Sequence, residues 1–394
     1  MENTKTNNSR AGIMAVIMGT LSMVGCFMVW SCLSPLAAHI AHAFNLTISE
    51  RTLLLATPVL LGSILRIPVG ILSDRFGGKK VYIILMLLLL IPVYMVPRVH
   101  SYGVLLFLAF LIGISGTSFA VGIAYSTVWF PPERQGLILG LTGLGNLGSA
   151  VAALTLPRIM KHYSFTTVFD VLDIILVVLI VLFFFCKEMP IDKNKTLKQA
   201  LSVTKDPNTW YLSVFYFLTF GLFVTLTTIV PTILGGLFKM DAVTAGLWAA
   251  TVSALCTLIR PFGGQAADKV RPVKLLKWTF IGIAIFIVGI CFSEHSEVAM
   301  LTCLIITGLI AGAGNGIVFK MVPYVSKGNT GSVTGFVGAA GGLGGYFPPI
   351  ILGFVKQHTG SYALGFALIA LLAIVCLLLL WHKYIKGNTK LVND

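Results

Sequence analysis

The sequence predicts an all-α membrane protein whose twelve transmembrane helices form two pseudo-symmetric six-helix halves. Hydrophobic residues make up 57% of the 394 residues and charged residues only 11%. The mean hydropathy of +0.93 lies outside the range of soluble globular chains. Apolar stretches of the roughly 20 residues that a helix needs to cross a bilayer recur along the whole chain. Polar residues within these stretches repeat half a chain apart, which indicates a duplicated unit.

The order of the apolar stretches defines the two halves. In the N-terminal half they lie at 11–41, 53–73, 81–97, 103–128, 137–157 and 166–186. In the C-terminal half they lie at 209–234, 243–265, 278–292, 299–325, 331–354 and 361–381. We therefore predict an N-terminal half at 1–186, a basic cytoplasmic linker at 187–208 and a C-terminal half at 209–394. The first stretch is too long for a signal peptide and lacks a small-residue cleavage site, so we expect a retained helix.

The distribution of basic residues predicts the orientation in the membrane. With the N-terminus inside, twenty of the 28 Lys and Arg residues fall in cytoplasmic segments, six fall outside and two lie within spans. This positive-inside bias places both termini in the cytoplasm, because the number of spans is even. The net charge of +14 could also indicate a nucleic-acid partner. We expect none, because the basic residues are spread over short loops instead of forming one patch.

The seven cysteines give no sign of a metal or redox site. All lie in or at the edge of apolar stretches, without a C-x-x-C pair or a metal-ligand spacing with histidine. We expect small core residues, no metal and no cofactor. The motifs H-E-x-x-H, G-x-S-x-G and the Walker loop are also absent from the sequence, so we do not expect an enzyme.

Two arginines inside apolar stretches are the main functional signal. Arg66 and Arg260 each stand 8 residues before an aspartate, Asp74 and Asp268, that marks the inner membrane edge. Eight helical residues span about 12 Å, which places both arginines near mid-membrane. All acidic residues fall near helix ends, in loops or in tails, so the expected partner is an anionic substrate. A planar, forked guanidinium pair suits a small planar oxyanion.

Glycine runs recur at matching places in the fifth and eleventh spans. They comprise Gly140, Gly143, Gly145 and Gly148 around Asn146, and Gly335, Gly338, Gly341, Gly342, Gly344 and Gly345. Such runs let transmembrane helices pack closely or slide, here expected across the boundary between the halves. We expect only Asn146 among these residues to reach an anion.

Several motifs resemble a known family. The loop after the second span resembles the signature of the major facilitator superfamily: Gly70-x-x-x-Asp74-Arg75-x-Gly77-Gly78-Lys79-Lys80. Within it, the chain resembles the nitrate/nitrite porter family in Leu65-Arg66-Ile67-Pro68, in Arg260-Pro261-x-Gly263-Gly264-x-x-x-Asp268 and in its glycine runs. The resemblance covers essentially the whole chain and implies the major facilitator fold.

The resemblance also implies roles for individual residues. Arg66 and Arg260 would clasp the anion, Asn146, Tyr216 and Asn315 would line its site, and Phe119 would form an aromatic wall. The second glycine run has Gly341-Gly342 where the first has Gly145-Asn146, so no asparagine role is expected in the eleventh span. Residues expected to act in conformational change are Gly70, Asp74, Arg75, Gly143, Gly145, Gly338, Gly341 and Asp268.

The expected function is nitrate/nitrite antiport, linked to nitrate assimilation, in the plasma membrane of a bacterium. Two positive charges in an empty site repel each other, so an empty carrier should resist closing and a loaded one should not. We expect the monomer to be functional, with a small inorganic anion and the lipid bilayer as partners. Alternatives are proton-coupled nitrate symport, although no carboxylate or histidine stands at mid-depth as a relay, and a carrier for a small carboxylate. A structural role remains open, in which both arginines bond carbonyls beside Pro68 and Pro261.

Overall fold

A computed structural model describes residues 2–130, 132–188, 202–326 and 330–386. Within these residues it contains no β-strand. Eleven helices are long and apolar enough to cross a bilayer, and one bent pair makes a twelfth span, as predicted. We number them α1 (Arg10–Ser31), α2 (Ile48–Ile64 with Arg66–Ser73), α3 (Gly78–Arg98), α4 (Tyr102–Thr127), α5 (Ile138–His162), α6 (Phe165–Phe184), α7 (Pro207–Phe238), α8 (Ala242–Lys269), α9 (Pro272–Cys291), α10 (Glu297–Val322), α11 (Val333–Thr359) and α12 (Ala363–Lys386).

Several spans are interrupted or extended. The predicted first span, 11–41, is too long, because the helix ends at Ser31 and a turn containing Pro35 separates it from a short helix, Ala37–Ala43. Proline has no backbone N–H to continue a helix. Three helices extend beyond the membrane-spanning ranges given above: Glu2–Ser31, Arg66–Phe76 and Glu297–Ser326. Three spans consist of two helical segments each: α5 (Pro132–Gly143, Leu147–His162), α11 (Thr330–Gly344, Phe347–Thr359) and α12 (Ala363–Leu380, Trp381–Lys386). Short 3₁₀ segments lie at Val96–Arg98, Gly113–Thr117, Leu144–Asn146 and Ser202–Lys205.

The predicted linker at 187–208 lies largely in residues 189–201, which are outside the described residues, so the boundaries of the halves stay a prediction. The start of the linker is held against the loop between α2 and α3. Lys79 Nζ donates hydrogen bonds to the carbonyls of Phe184 and Cys186 at the end of α6. The Glu188 carboxylate accepts the backbone N–H of Lys79 at 2.9 Å.

Two spans break at equivalent positions, and a proline causes each break. The helical segments of α2 meet at Leu65 with a bend of 43°, and the two segments of α8, Ala242–Leu258 and Arg260–Lys269, meet at Ile259. Pro68 and Pro261 cannot donate the backbone bond to the residue four positions earlier, which weakens each helix at this point. Leu65 and Ile259 have similar backbone angles, with φ of −74° at both. The repeat seen in the sequence is therefore also a repeat of local structure.

The two halves are packed together at one end of the bundle. Because the chain crosses the bundle twelve times, its N- and C-termini lie at the same end. We call this the terminal end of the bundle and the opposite end the distal end. At the distal end the second part of α5 packs along the first part of α8, and the first part of α2 packs along the second part of α11. The backbone N–H of Ser49 donates to Gln357 Oε1 at 2.9 Å, which joins α2 to α11.

A second distal contact joins α1 to α7. Ser34, just beyond α1, is buried, and its Oγ donates to the carbonyl oxygens of Thr227 and Thr228 at 3.0 and 2.6 Å. The distal end is therefore closed by hydrogen bonds as well as by apolar packing.

Glycines allow close helix packing inside each half. A methyl group on Gly148 of α5 would stand 2.1 Å from the Val24 carbonyl oxygen of α1, and one on Gly344 of α11 would stand 1.9 Å from the Phe217 carbonyl oxygen of α7. Both contacts join helices of the same half. The predicted packing across the boundary between the halves is found at Gly342 of α11, where a methyl group would meet Ser63 of α2.

We predict that Gly148→Ala destabilises the protein and that Gly140→Ala, also on α5, does not. The alanine at 148 forces the backbones of α5 and α1 apart, with an expected cost of about 1–3 kcal/mol, whereas a methyl group at 140 meets no atom of the described residues within 4 Å. The unfolding temperature of the purified protein in detergent measures the difference. Equal temperatures for the two variants would contradict this account of the packing.

Candidate anion site

Arg66 begins the second segment of α2, immediately after the break. Its side chain is 1% exposed. Nε donates to the Gly116 carbonyl of α4 at 3.2 Å, and Nη1 donates to the Gly338 carbonyl of α11 at 2.7 Å. The second bond joins the two halves. Arg66 thus bonds backbone carbonyls, but on α4 and α11 and not beside Pro68.

Arg260 occupies the equivalent position in α8 and is half-buried. Its Nη2 donates to Tyr216 Oη at 2.9 Å. Tyr216 is fully buried on α7, so this bond fixes Arg260 within the C-terminal half. The two arginines therefore share their place in the repeat but differ in what holds them.

Aromatic rings surround both guanidinium groups. The Phe119 ring centroid lies 5.1 Å from Arg66 Cζ and 5.7 Å from Arg260 Cζ, so one ring contacts both arginines. Phe220 lies 5.2 Å from Arg66 Cζ, and Phe319 lies 5.2 Å from Arg260 Cζ. Each such contact contributes about 0.5–2 kcal/mol, the larger value where water is excluded.

Tyr216 belongs to the same aromatic cluster. Its ring stacks on Phe220 at 5.0 Å and meets Phe319 edge-on at 4.7 Å. The ion pairs between described side chains are Arg98–Asp170 and Lys320–Asp268, so neither arginine of the site pairs with a described carboxylate. Among the described residues, the positive charges are stabilised by ring faces, by the carbonyls of Gly116 and Gly338 at Arg66 and by the Tyr216 hydroxyl at Arg260.

Part of each guanidinium has no partner. Arg66 Nη2 and Arg260 Nη1 are buried and form no hydrogen bond with the described residues. A buried donor without an acceptor costs about 1–3 kcal/mol, and more when it is charged. A ligand with several acceptor oxygens would remove this cost at both arginines. The arrangement therefore suits a small anion.

The two asparagines predicted for the site are also buried with unused polar atoms. Asn146 and Asn315 are each 2% exposed, and Oδ1 of each has no partner among the described residues. Asn146 ends a short 3₁₀ segment that contacts α1 and α8. Asn315 stands next to Gly316, which packs against the Arg260 carbonyl. The contacts thus place Asn315 beside the arginine helix, while Asn146 approaches from α5.

The glycines of α11 contribute directly to the site. Gly338 supplies the carbonyl that binds Arg66. A methyl group on Gly341 would meet the Tyr216 ring at 2.2 Å, and one on Gly342 would meet Ser63 Oγ at 2.2 Å. In the first half, Gly145 packs against Met23, whereas Gly143 has no close neighbour and Gly70 has only Ala120 at 3.7 Å.

The remaining residues assigned to conformational change lie nearer the terminal end. Arg75 is exposed, and its Cζ lies 5.6 Å from the Phe76 ring. The Asp268 carboxylate pairs with Lys320 of α10. Asp74 lies in the helix Arg66–Phe76, but its side chain is outside the described residues. Their part in conformational change stays a prediction.

Sequence reasoning missed Phe220 and Phe319. Both follow predicted site residues by four positions, Phe220 after Tyr216 and Phe319 after Asn315. Residues four apart lie on one helix face. Inspection of the residue one helical turn after Tyr216 and after Asn315 would have identified both phenylalanines.

Comparison with known proteins places the chain in a family. The model of the Major Facilitator Superfamily matches residues 19–347. A nitrite extrusion protein from Bacillus subtilis is 36% identical over 379 residues, which cover 94% of this chain and 95% of that protein. A probable nitrate transporter NarT from Staphylococcus epidermidis is 35% identical over 378 residues, covering 95% of this chain and 97% of that protein.

The chain belongs to the Major Facilitator Superfamily and to the nitrate/nitrite porter family within it. Members of this superfamily are multi-pass membrane transporters and not enzymes. Two solved structures share the fold. The nucleoside transporter NupG aligns with a TM-score of 0.72 at 12% identity, over 94% of this chain and 100% of its own. The human organic anion transporter MFSD10 aligns with a TM-score of 0.71 at 15% identity, over 94% of this chain and 99% of its own.

We predict that Tyr216→Phe destabilises the transporter more than Tyr102→Phe does. Tyr216 Oη accepts a hydrogen bond from a charged donor, worth about 1.5–3 kcal/mol, whereas a neutral bond is worth about 1 kcal/mol. The control hydroxyl, Tyr102 Oη, donates to the Glu50 carbonyl at 3.0 Å. Unfolding temperatures in anion-free detergent measure both. A larger loss for Tyr102→Phe would contradict the assigned role of the Tyr216 hydroxyl.

Proposed function

We propose that this transporter exchanges nitrate and nitrite across the plasma membrane of a bacterium, with one anion bound between Arg66 and Arg260. The observation that supports this most directly is the pair of buried, unpartnered guanidinium donors, Arg66 Nη2 and Arg260 Nη1. The names of the relatives, a nitrite extrusion protein and a probable nitrate transporter, support the identity of the anion.

The chemistry of the site favours small planar anions. A forked guanidinium binds two oxygens of a planar group at once. The rings of Phe119, Phe220 and Phe319 lie 5.1–5.2 Å from the guanidinium carbons, so an anion at the free donors would be bordered by apolar ring faces, which suit a weakly hydrated anion. Nitrate and nitrite carry one delocalised charge over oxygens in a plane, which fits both constraints.

The basic loops support an orientation with both termini in the cytoplasm. The distal end then faces the outside, and the structure represents a form whose outer end is closed by the contacts of Ser34 and Ser49. Alternating access would open this end while closing the terminal end around the same anion.

Charge balance supports exchange over net transport. The arginines have no described carboxylate to neutralise them, so an empty site holds two positive charges in a medium of low dielectric constant. Their repulsion opposes the closed intermediate through which an empty carrier would return. Bound anion removes this repulsion, so the loaded carrier moves in both directions and the empty one does not.

We expect Arg66→Lys and Arg260→Lys each to reduce exchange by about tenfold or more, because lysine keeps the charge but loses the planar fork. The measurement is uptake of labelled nitrate into proteoliposomes loaded with nitrite. Arg98→Lys is the matched control, since Arg98 lies at the distal surface, where it pairs with Asp170 at 3.2 Å. If both site variants exchanged nitrate as fast as the unmodified protein, the arginines would have a purely structural role.

The exchange mechanism predicts that liposomes without internal anion take up no nitrate, even under an imposed pH gradient. Uptake should appear when nitrite or nitrate is loaded inside, and excess external acetate should not inhibit it. Uptake into empty liposomes that follows the pH gradient would overturn exchange in favour of proton symport. Strong inhibition by acetate would favour a carboxylate carrier.

A further inference from the structure

A small cavity lies just beyond the aromatic cluster, on the distal side. It is enclosed by α1, α2, α5 and α7, and its volume of about 10 Å³ is enough for about one water molecule. Hydroxyl groups of Ser31, Ser34, Ser149, Thr227 and Thr228 line one part of it, and Trp30, Leu55 and Val59 are among the apolar residues that line the rest.

The cavity continues the line of the anion site toward the distal end. Val224 lies in its wall, one helical turn beyond Phe220, whose ring contacts Arg66. Ser149 lies three residues beyond Asn146 on α5. One turn of helix rises about 5.4 Å, so both walls place the cavity about one turn beyond the site. An anion that enters between α1 and α7 would meet this cavity before it meets the arginines.

Ser149 offers a hydrogen-bond donor that the folded protein does not use. Its side chain is 1% exposed, it lines the cavity, and its Oγ has no partner among the described residues. The hydroxyls of Ser31 and Thr227, in contrast, are bonded to the carbonyls of Phe27 and Phe223 one turn earlier in their own helices. Ser149 therefore contributes a buried hydroxyl donor that has no partner among the described residues.

Ser34 becomes a second donor when the distal end opens. In the closed form its hydroxyl is bonded to the carbonyls of Thr227 and Thr228 across the boundary between the halves. Separation of α1 from α7 must break these bonds, and it frees the Ser34 hydroxyl at the wall of the same cavity. Two hydroxyl donors then face the widened space.

We propose that this cavity is an outer binding station for the transported anion, with Ser149 as a permanent donor and Ser34 as a donor available only in the outward-open form. In the closed form the cavity has room for about one water molecule beside Ser149. The proposal rests on the proposed function and adds a second contact point on the distal path. Ser149 would then affect the apparent affinity for an anion that enters from the distal side and not for one that enters from the terminal side.

The first test is side-specific kinetics in right-side-out and inside-out membrane vesicles. Ser149→Ala should raise KM for nitrate entering from the distal side by about tenfold, because one hydrogen bond to a charged group is lost. KM from the terminal side should not change. Ser253→Ala is the matched control, since Ser253 of α8 is also fully buried with an unpartnered Oγ but does not line the cavity.

The second test is chemical labelling of Ser149→Cys by a membrane-impermeant methanethiosulfonate added from the distal side. We expect labelling above the level of the unmodified chain, slowed by nitrate, and none for Ser253→Cys. If the unmodified chain does not exchange nitrate, the proposed function fails. If it does, and the Ser149 variants match the Ser253 variants in both KM and labelling, the outer station is wrong and the exchange function stands.

Discussion

The structure depends on holding two positive charges inside an apolar bundle without a described carboxylate beside them. Placing a guanidinium in a medium of low dielectric constant costs several kcal/mol. Backbone carbonyls of α4 and α11 offset part of this cost at Arg66, the Tyr216 hydroxyl does so at Arg260, and aromatic faces surround both. This shell leaves at least one buried nitrogen of each arginine, Arg66 Nη2 and Arg260 Nη1, without a partner among the described residues. The proposed anion would fill these positions, and its binding would then stabilise the bundle.

The sequence was sufficient to predict the number of spans, the repeat and the two arginines, because each depends on local chemistry. Hydropathy identifies the spans, and the matching Arg–Pro segments half a chain apart identify the repeat, whereas the breaks at Leu65 and Ile259 were not predicted. The end of α1 was placed ten residues too far, at 41 instead of Ser31, because the turn around Pro35 is itself apolar and does not interrupt the hydropathy. Glycine spacing predicted close packing across the halves, which is found at Gly342 beside Ser63, whereas Gly148 and Gly344 fit against helices of their own half.

The site was harder to predict where its contacts join distant segments. The bond from Arg66 to Gly338 joins residues 272 positions apart and uses a carbonyl oxygen, which every residue has and which therefore leaves no mark in a sequence. The distal bonds of Ser34 with Thr227 and Thr228 have the same character. Phe220 and Phe319 were also missed, although helical spacing from Tyr216 and Asn315 would have been sufficient to find them. Periodicity thus finds neighbours on one helix, whereas a hydrogen bond from a side chain to a distant backbone carbonyl is found only from the fold.

The two arginines occupy equivalent positions in the repeat but form hydrogen bonds with different partners. Each stands directly after a proline-induced break, 194 residues from the other, yet Arg66 is tied to backbone on the opposite half and Arg260 to a side chain of its own half. The halves are parallel repeats related by an axis along the membrane normal, so exchanging them does not convert one open form into the other. Rocking of one half against the other would instead strain the bond from Arg66 to Gly338, which crosses their boundary, and leave the bond from Arg260 to Tyr216 intact. Arg66 is therefore the arginine whose partners must change when the halves move apart, whereas Arg260 travels with its own partner.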